Sequence, residues 1–292
     1  MNLKSIIVLP LILAGLTGCN STPEQIKASI VTVPFSAPLQ TNFRNEISVA
    51  RYSELLLATD LPTEQRAQLY YNRGRLYDGL GLSTLARIDF NRAIKMKPDL
   101  AEAYNFLGIH HTLLQEYGKA YEMFEAVLEL DERHEYAYLN RGIALYYDNR
   151  IDLASDDLSA FLARSPQDAY RVMWLYLAQL KHDPIIAKAT LKANQQAIND
   201  AEWSSQLVKL YLGELSEEQF LQQISVGVKN QQEYSERLCE AYFYLAKLYQ
   251  FQGNEHIAAD FFKLALSTNV SEFIEYKYAR LELDIWASEN AS

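Results

Sequence analysis

A gapless repeat of 34 residues constrains the fold more than any other feature of the sequence. Residues 67–100, 101–134 and 135–168 align at this fixed offset, and a further copy appears at 239–272. Each copy has small residues at the same two positions. These are Gly74, Gly108 and Gly142, then Ala86, Ala120 and Ala154, and in the last copy Ala246 and Ala258. Because a unit of this length cannot bury its apolar face alone, the sequence predicts a stacked array.

Two antiparallel helices per unit account for this pattern. Glycine (11) and proline (8) are sparse among 292 residues, whereas sandwiches and barrels need many turns. The small residues mark the point where the two helices of a unit approach most closely. These positions resemble the signature of the tetratricopeptide repeat, which implies an all-α solenoid. Helical periodicity along the rest of the chain predicts about fourteen helices and no strand.

The chain divides into three predicted parts. Residues 1–18 form a lipoprotein signal peptide, 19–41 a lipidated N-terminus with a flexible tether, and 42–288 a helical repeat domain. Within that domain, residues 169–238 form irregular helices that do not follow the repeat. Arg73 and Arg141 occupy a repeat position that is usually aliphatic, so we expect their stems to pack while their charges reach solvent.

The N-terminal segment carries a lipidation signal. Lys4 precedes an apolar stretch at 6–16 that is too short to span a bilayer, and Leu16-Thr17-Gly18-Cys19 resembles the lipobox of bacterial lipoproteins. The resemblance implies cleavage before Cys19 and its acylation, and two or more acyl chains anchor a protein stably. The residues after Cys19 resemble those of lipoproteins exported to the outer membrane. The alternative is an ordinary signal peptide with a chance cysteine. An acylated Cys19 leaves Cys239 as a packed apolar residue or a redox-active thiol.

No catalytic or metal-binding motif stands out. The sequence has no HExxH zinc motif, no GxSxG nucleophile elbow and no phosphate-binding loop. The formal net charge of −10 argues against nucleic acid, which requires a basic surface. We therefore predict a protein without enzymatic activity, cofactor or metal; an unrecognised enzyme is the alternative.

The first helix of each unit predicts a concave groove for a partner. In tetratricopeptide stacks, set positions of these helices line the inner surface. Here the candidate residues are Tyr71, Arg75, Asn105, Ile109, Tyr136, Leu139, Ile143 and Tyr146. The groove changes from polar in the first unit to apolar in the third. Either it is an open peptide-binding groove with exposed tyrosine anchors, or residues 169–182 or another subunit already fill it.

The layout and two short stretches carry a closer resemblance. The stretches are Leu76–Leu82 and Leu139–Tyr147, which reads LNRGIALYY. Together with the lipobox, tether and repeats, they resemble the NlpI family of Gram-negative lipoproteins. The resemblance implies a homodimeric adaptor on the periplasmic face of the outer membrane. It also implies that the adaptor scaffolds peptidoglycan hydrolases and delivers a murein endopeptidase to a tail-specific protease, which affects wall growth and division. An assembly lipoprotein of the pilotin or outer-membrane assembly type is the alternative.

Overall fold

The computed structural model describes residues 33–40 and 43–290. The predicted signal peptide, residues 1–18, and the predicted lipidation site, Cys19, lie outside the described residues. The part of the chain that is described contains fourteen α-helices and no strand, which confirms the predicted all-α solenoid. Among these helices, none is both long and apolar enough to cross a membrane.

The helices alternate with short turns along the chain. Their bounds are α1 (Phe43–Leu55), α2 (Thr63–Gly79), α3 (Ser83–Met96), α4 (Ala101–Leu113), α5 (Tyr117–Leu130), α6 (Glu135–Tyr147), α7 (Ile151–Ala163), α8 (Ala169–His182), α9 (Pro184–Asn194), α10 (Ser205–Leu212), α11 (Glu217–Gln223), α12 (Gln231–Phe251), α13 (Glu255–Ser267) and α14 (Ile274–Asn290). A single 3₁₀ turn follows α9. The repeat units correspond to the pairs α2–α3, α4–α5, α6–α7 and α12–α13.

One turn conformation joins the two helices in all four units. A residue with positive φ occupies the same repeat position each time, and these residues are Gly81, Gln115, Asn149 and Gly253. The amide of the next residue returns to a carbonyl five residues earlier, as from Leu82 to Tyr77 at 2.8 Å. This left-handed cap satisfies the last carbonyls of the first helix. The turn therefore ends each first helix at the point where the second one begins.

The glycines that recur every 34 residues lie where the two helices of a unit are in contact. A Cβ added at Gly74 would lie 2.8 Å from a ring carbon of Phe90, and one at Gly108 would lie 2.5 Å from Phe124. At Gly142 the nearest atom is Cγ of Leu158, at 2.8 Å. The neighbour of each glycine is thus a large apolar side chain on the second helix. In the fourth unit Ala246 occupies the glycine position and is fully buried. The alanines at the other repeat position are also buried; they are Ala86, Ala120, Ala154 and Ala258.

Arg73 and Arg141 do not extend their charges into solvent, contrary to expectation. Arg73 donates two hydrogen bonds, of 2.6 and 2.9 Å, to the carboxylate of Asp89 on the second helix of its unit. Arg141 binds Asp157 in the same way at 2.7 and 2.9 Å. The aspartates are buried, so the guanidinium groups turn inward to neutralise them.

The C-terminal helix returns to the first helices of the repeats. Before α14 begins, Ser271 Oγ donates to the carbonyl of Gly79 at 2.6 Å. Further along the helix, the Tyr278 ring stacks on Tyr147 with centroids 5.2 Å apart. The last helix therefore covers part of the inner surface that the first three units would otherwise expose.

Residues 33–40 differ from the free tether that was expected there. Their backbone is extended, and Leu39 N donates to the carbonyl of Thr268 at 3.0 Å. Asn269 Nδ2 donates to the carbonyl of Leu39 at 2.6 Å, and the hydroxyls of Ser36 and Ser235 are 2.9 Å apart. These hydrogen bonds fix the segment against the start of α12 and the end of α13.

Candidate partner-binding surfaces

The apolar part of the predicted groove is covered by the protein's own helices. Leu139, Ile143 and Tyr146 are only 8%, 0% and 3% exposed, and they belong to the main hydrophobic core together with residues of α8 and α12. The ammonium group of Lys181 lies 3.9 Å from the centre of the Tyr146 ring. Only Tyr136 remains exposed at this position of the stack. Leu139, Ile143 and Tyr146 are therefore too deeply buried to line an open groove in the third unit.

The candidate groove residues of the first two units are mostly polar or covered. Tyr71 is buried, which raises its pKa, and the exposed Arg75 lies over its ring at 5.9 Å. Asn105 is buried and accepts a hydrogen bond of 2.9 Å from Asn140 Nδ2. Ile109 is half-buried. This stretch offers no continuous apolar face to a peptide.

A buried ionic cluster lies at the inner surface instead. Lys247 Nζ is 2.6 Å from Glu282 Oε1, and the Tyr147 hydroxyl donates to the same oxygen at 2.8 Å. Burial alone would raise the pKa of Glu282, but Lys247, Gln250 and Tyr147 together hold it below its ordinary value. Sequence reasoning missed this cluster because its members come from three helices that are far apart in the chain.

A second buried acidic pair has different surroundings. Glu240 on α12 accepts a hydrogen bond of 2.8 Å from Trp203 Nε1, and Glu275 on α14 lies near it. Burial raises the pKa of both carboxyls. For Glu240, repulsion by the charge of Glu275 is the next cause. Cys239, beside Glu240 in the chain, is fully buried, and this burial raises the pKa of its thiol.

An open cleft of about 1060 Å³ lies between α14 and the α2–α3 turn. Its walls combine apolar and charged side chains, including Phe43, Leu80, Leu114, Tyr276, Lys277 and Arg280. At its base, Asp78 binds His110 Nε2 at 2.9 Å and Lys277 Nζ at 2.7 Å. Burial opposes ionisation of Asp78, but these two partners lower its pKa overall. No short sequence motif marks the cleft, because its lining extends from Leu39 to Asp284.

The described residues contain no group of three or more His, Cys, Asp or Glu side chains that could hold a metal ion. These residues form a stack of paired helices with a cleft and extended outer faces. Stacked helix pairs of this kind are typically non-catalytic scaffolds for protein interactions.

Comparison with known proteins identifies the repeat. The family model described as tetratricopeptide repeat matches residues 67–100, which include most of α2 and all of α3. Residues 67–100 thus match a tetratricopeptide repeat.

Several solved structures are similar to this chain, and one of them has a TM-score above 0.5. A tetratricopeptide repeat protein from Parabacteroides merdae is 18% identical, with a TM-score of 0.51 over 83% of this chain and 78% of that one. PilF of Pseudomonas aeruginosa is 19% identical, with a TM-score of 0.45 over 78% and 99%. YrrB, a TPR protein with an unusual peptide-binding site, is 14% identical, with a TM-score of 0.45 over 75% and 93%. These likenesses concern the fold alone.

Proposed function

We propose that this protein is a membrane-anchored adaptor that binds periplasmic proteins and has no catalytic activity of its own. The observation that carries the proposal is the cleft between α14 and the α2–α3 turn, which is large enough for a peptide segment. Its apolar walls would take side chains of the partner, and the charged groups near them would orient the bound segment.

The proposed partners are enzymes of the cell wall. On this proposal, the adaptor scaffolds peptidoglycan hydrolases and delivers a murein endopeptidase to a tail-specific protease, thereby affecting wall growth and division. The support is the resemblance of Leu139–Tyr147, of Leu76–Leu82 and of the whole layout to the NlpI family. The same resemblance supports a homodimer, and the lipobox supports an anchor at Cys19 on the periplasmic face of the outer membrane.

Site-specific crosslinking in cells tests which partners reach the cleft. A photo-crosslinking amino acid replaces Phe43 in the cleft, or Glu218 on the exposed side of α11 as the control. We expect wall hydrolases or the protease to be captured from position 43 and not from position 218. Capture of a secretin would favour the pilotin type of assembly lipoprotein. Identical products from both positions would contradict binding in the cleft.

A reconstituted reaction tests the delivery step. The rate at which the tail-specific protease degrades the endopeptidase is measured with and without the adaptor. Leu114→Glu places a charge on the cleft wall, whereas Leu130→Glu places one on α5 outside it, at similar exposure (49% and 45%). We expect acceleration by wild type and by Leu130→Glu, and a loss of about tenfold or more in adaptor affinity for Leu114→Glu. Equal rates with and without any adaptor would refute delivery.

The anchor has its own test. Cys19→Ala should abolish incorporation of labelled fatty acid, because the cysteine sulfur and the new amino terminus are the proposed acylation sites. Continued labelling of the variant would show that the lipobox assignment is wrong.

A further inference from the structure

The outer face of α3 is apolar and cationic. Leu85 and Ile88 are 42% and 43% exposed, one turn apart on the side of the helix away from α2. Arg92 and Lys95 follow one and two turns after Ile88, and both are exposed, while the guanidinium of Arg92 also lies over the Tyr70 ring of α2 at 5.3 Å. Two exposed aliphatic side chains followed by two cations form a small amphipathic patch, which we name the α3 patch.

The only acidic residue of α3 does not neutralise this patch. Asp89 is buried, and Arg73 of α2 already binds both of its carboxylate oxygens. Arg92 approaches one of these oxygens only at 3.4 Å and keeps half of its side chain exposed. For Lys95, the described residues supply no ion-pair partner. The patch therefore carries a surplus of positive charge.

The corresponding helices of the next units carry the opposite charge. Ile88 aligns with Glu122 of α5 and with Asp156 of α7, and both of these acids are exposed. Lys95 aligns with Glu129 of α5, which is also exposed. In a chain with a formal net charge of −10, the first unit is thus the exception. A local cationic patch on an acidic protein attracts an acidic partner only at that place.

We propose that the α3 patch docks an acidic amphipathic segment of a partner protein. Leu85 and Ile88 would contact the apolar side of the segment, and Arg92 and Lys95 would pair with its carboxylates. Apolar anchors provide affinity in such contacts, and the surrounding charges provide specificity and rate of association. None of these four residues lines the cleft. This second surface goes beyond the proposed function, since it would let the adaptor hold two proteins at once.

A defined peptide tests the proposal on the full-length protein. The probe is a fluorescein-labelled amphipathic helix with leucines on one face and glutamates on the other, and its counterpart has lysine for every glutamate. Fluorescence anisotropy should show binding of the acidic peptide that weakens with salt, and little binding of the basic one. Absence of acidic-peptide binding up to about 1 mM, or equal binding of both peptides, would overturn the proposal.

Matched variants separate the α3 patch from general electrostatics. Arg92→Glu with Lys95→Glu changes the net charge as much as Lys188→Glu with Lys263→Glu, at exposed sites on α9 and α13. Leu85→Ser with Ile88→Ser is matched by Leu130→Ser with Leu153→Ser, whose leucines are equally exposed. We expect the affinity to fall about tenfold or more for each patch variant and by much less for its control. Equal losses in a variant and its control would contradict docking at α3.

The same variants also test two other occupants of the α3 patch, an anionic membrane surface and a second copy of the chain. Vesicles of three parts phosphatidylcholine and one part phosphatidylglycerol test for an anionic membrane surface, and sedimentation equilibrium tests for a second copy of the chain. The proposal is overturned if the patch variants lose vesicle binding or dimer mass while wild type fails to bind the acidic peptide. Thermal unfolding of every variant is measured first, because Arg92→Glu and Lys263→Glu each place a second carboxylate near an aspartate. Binding is then compared at a temperature at which all variants are folded. Failure of the cleft experiments would leave these readouts unchanged, since the cleft and the α3 patch use different residues.

Discussion

The ammonium group of Lys247 lies 2.6 Å from Oε1 of Glu282, and both side chains are almost completely buried. This ion pair joins α12 to α14 in the interior. Gln250 Nε2 donates to the second carboxylate oxygen at 3.0 Å. The C-terminal helix is therefore held in place by a fully partnered ionic contact as well as by apolar packing, and one wall of the cleft depends on it.

Removal of the charge on Glu282 should destabilise the protein strongly. Glu282→Gln leaves Lys247 buried without a counter-ion, which typically costs about 3–5 kcal/mol. Asp260→Asn is the control, because the Lys263–Asp260 pair is exposed and such pairs contribute about 0–1 kcal/mol. Urea unfolding followed by circular dichroism measures both. Equal stabilities of the two variants would show that the buried pair does not hold α14.

The Glu240 and Glu275 pair predicts a loss of stability at alkaline pH. Because burial raises the pKa of both carboxyls, the folded state retains protons that the unfolded state has released. Their contribution to stability is full below the ordinary carboxyl pKa and is lost as the pH rises through the raised values. Glu240→Gln removes one of the ionisable groups, and its amide oxygen can still accept from Trp203.

We therefore expect Glu240→Gln to gain stability relative to wild type as the pH rises from about 5 to about 9, by about 1–3 kcal/mol in total. Melting temperatures across this pH range provide the measurement. Glu218→Gln, at an exposed position on α11, is the control and should follow the wild-type curve. Parallel curves for wild type and Glu240→Gln would contradict the raised pKa.

The sequence predicts the repeat architecture well because its signals are local. Turn residues, small residues and helical periodicity all recur at one spacing, so each unit repeats the same information. Such local signals do not predict that other helices cover Ile143 and Tyr146. Whether an apolar face of one helix stays open depends on α8, α12 and α14, and their contacts follow no sequence periodicity. The cleft has the same origin, since it exists only where distant segments meet.

The aspartate partners of Arg73 and Arg141 could have been found. Both arginine positions and both aspartate positions are separated by two repeat lengths, while the second unit has Leu107 and Met123 at the corresponding places. A joint change from an apolar pair to a charged pair indicates contact. Considered alone, each arginine position predicts only a side-chain stem that packs while its guanidinium reaches solvent.

The close helix contact at Gly108 predicts that alanine destabilises the protein at Gly108 but not at Gly118. Gly108→Ala would place Cβ 2.5 Å from the Phe124 ring, so the helices of the second unit must shift, at a typical cost of about 1–3 kcal/mol. Gly118→Ala is the matched control, since it lies in α5 and has nothing within 4 Å of an added Cβ. There, alanine should stabilise by up to about 1 kcal/mol. Chemical denaturation distinguishes the two, and a neutral Gly108→Ala would contradict the observed contact.

The Arg73–Asp89 pair can be replaced by the apolar pair that the second unit has at the same repeat positions. Arg73→Leu leaves the buried carboxylate of Asp89 with only the long contact to Arg92, and should cost about 3–5 kcal/mol. Arg73→Leu with Asp89→Met introduces the apolar pair that the second unit uses at Leu107 and Met123. Because both charges are then removed and side chains of suitable size fill the space, the double variant should regain most or all of the wild-type stability.

A double-mutant cycle of unfolding free energies measures this coupling. The reason to expect recovery is that a buried ion pair contributes little beyond neutralising its own partners, so replacing both is tolerated whereas removing one is not. A control cycle at the exposed pair Lys119 and Glu116 should show coupling below about 1 kcal/mol. If the losses of the two single variants at Arg73 and Asp89 simply add in the double variant, the pair is not interchangeable with the apolar pair of the second unit. The charges would then be required for stacking the first unit on its neighbours rather than for their own neutralisation.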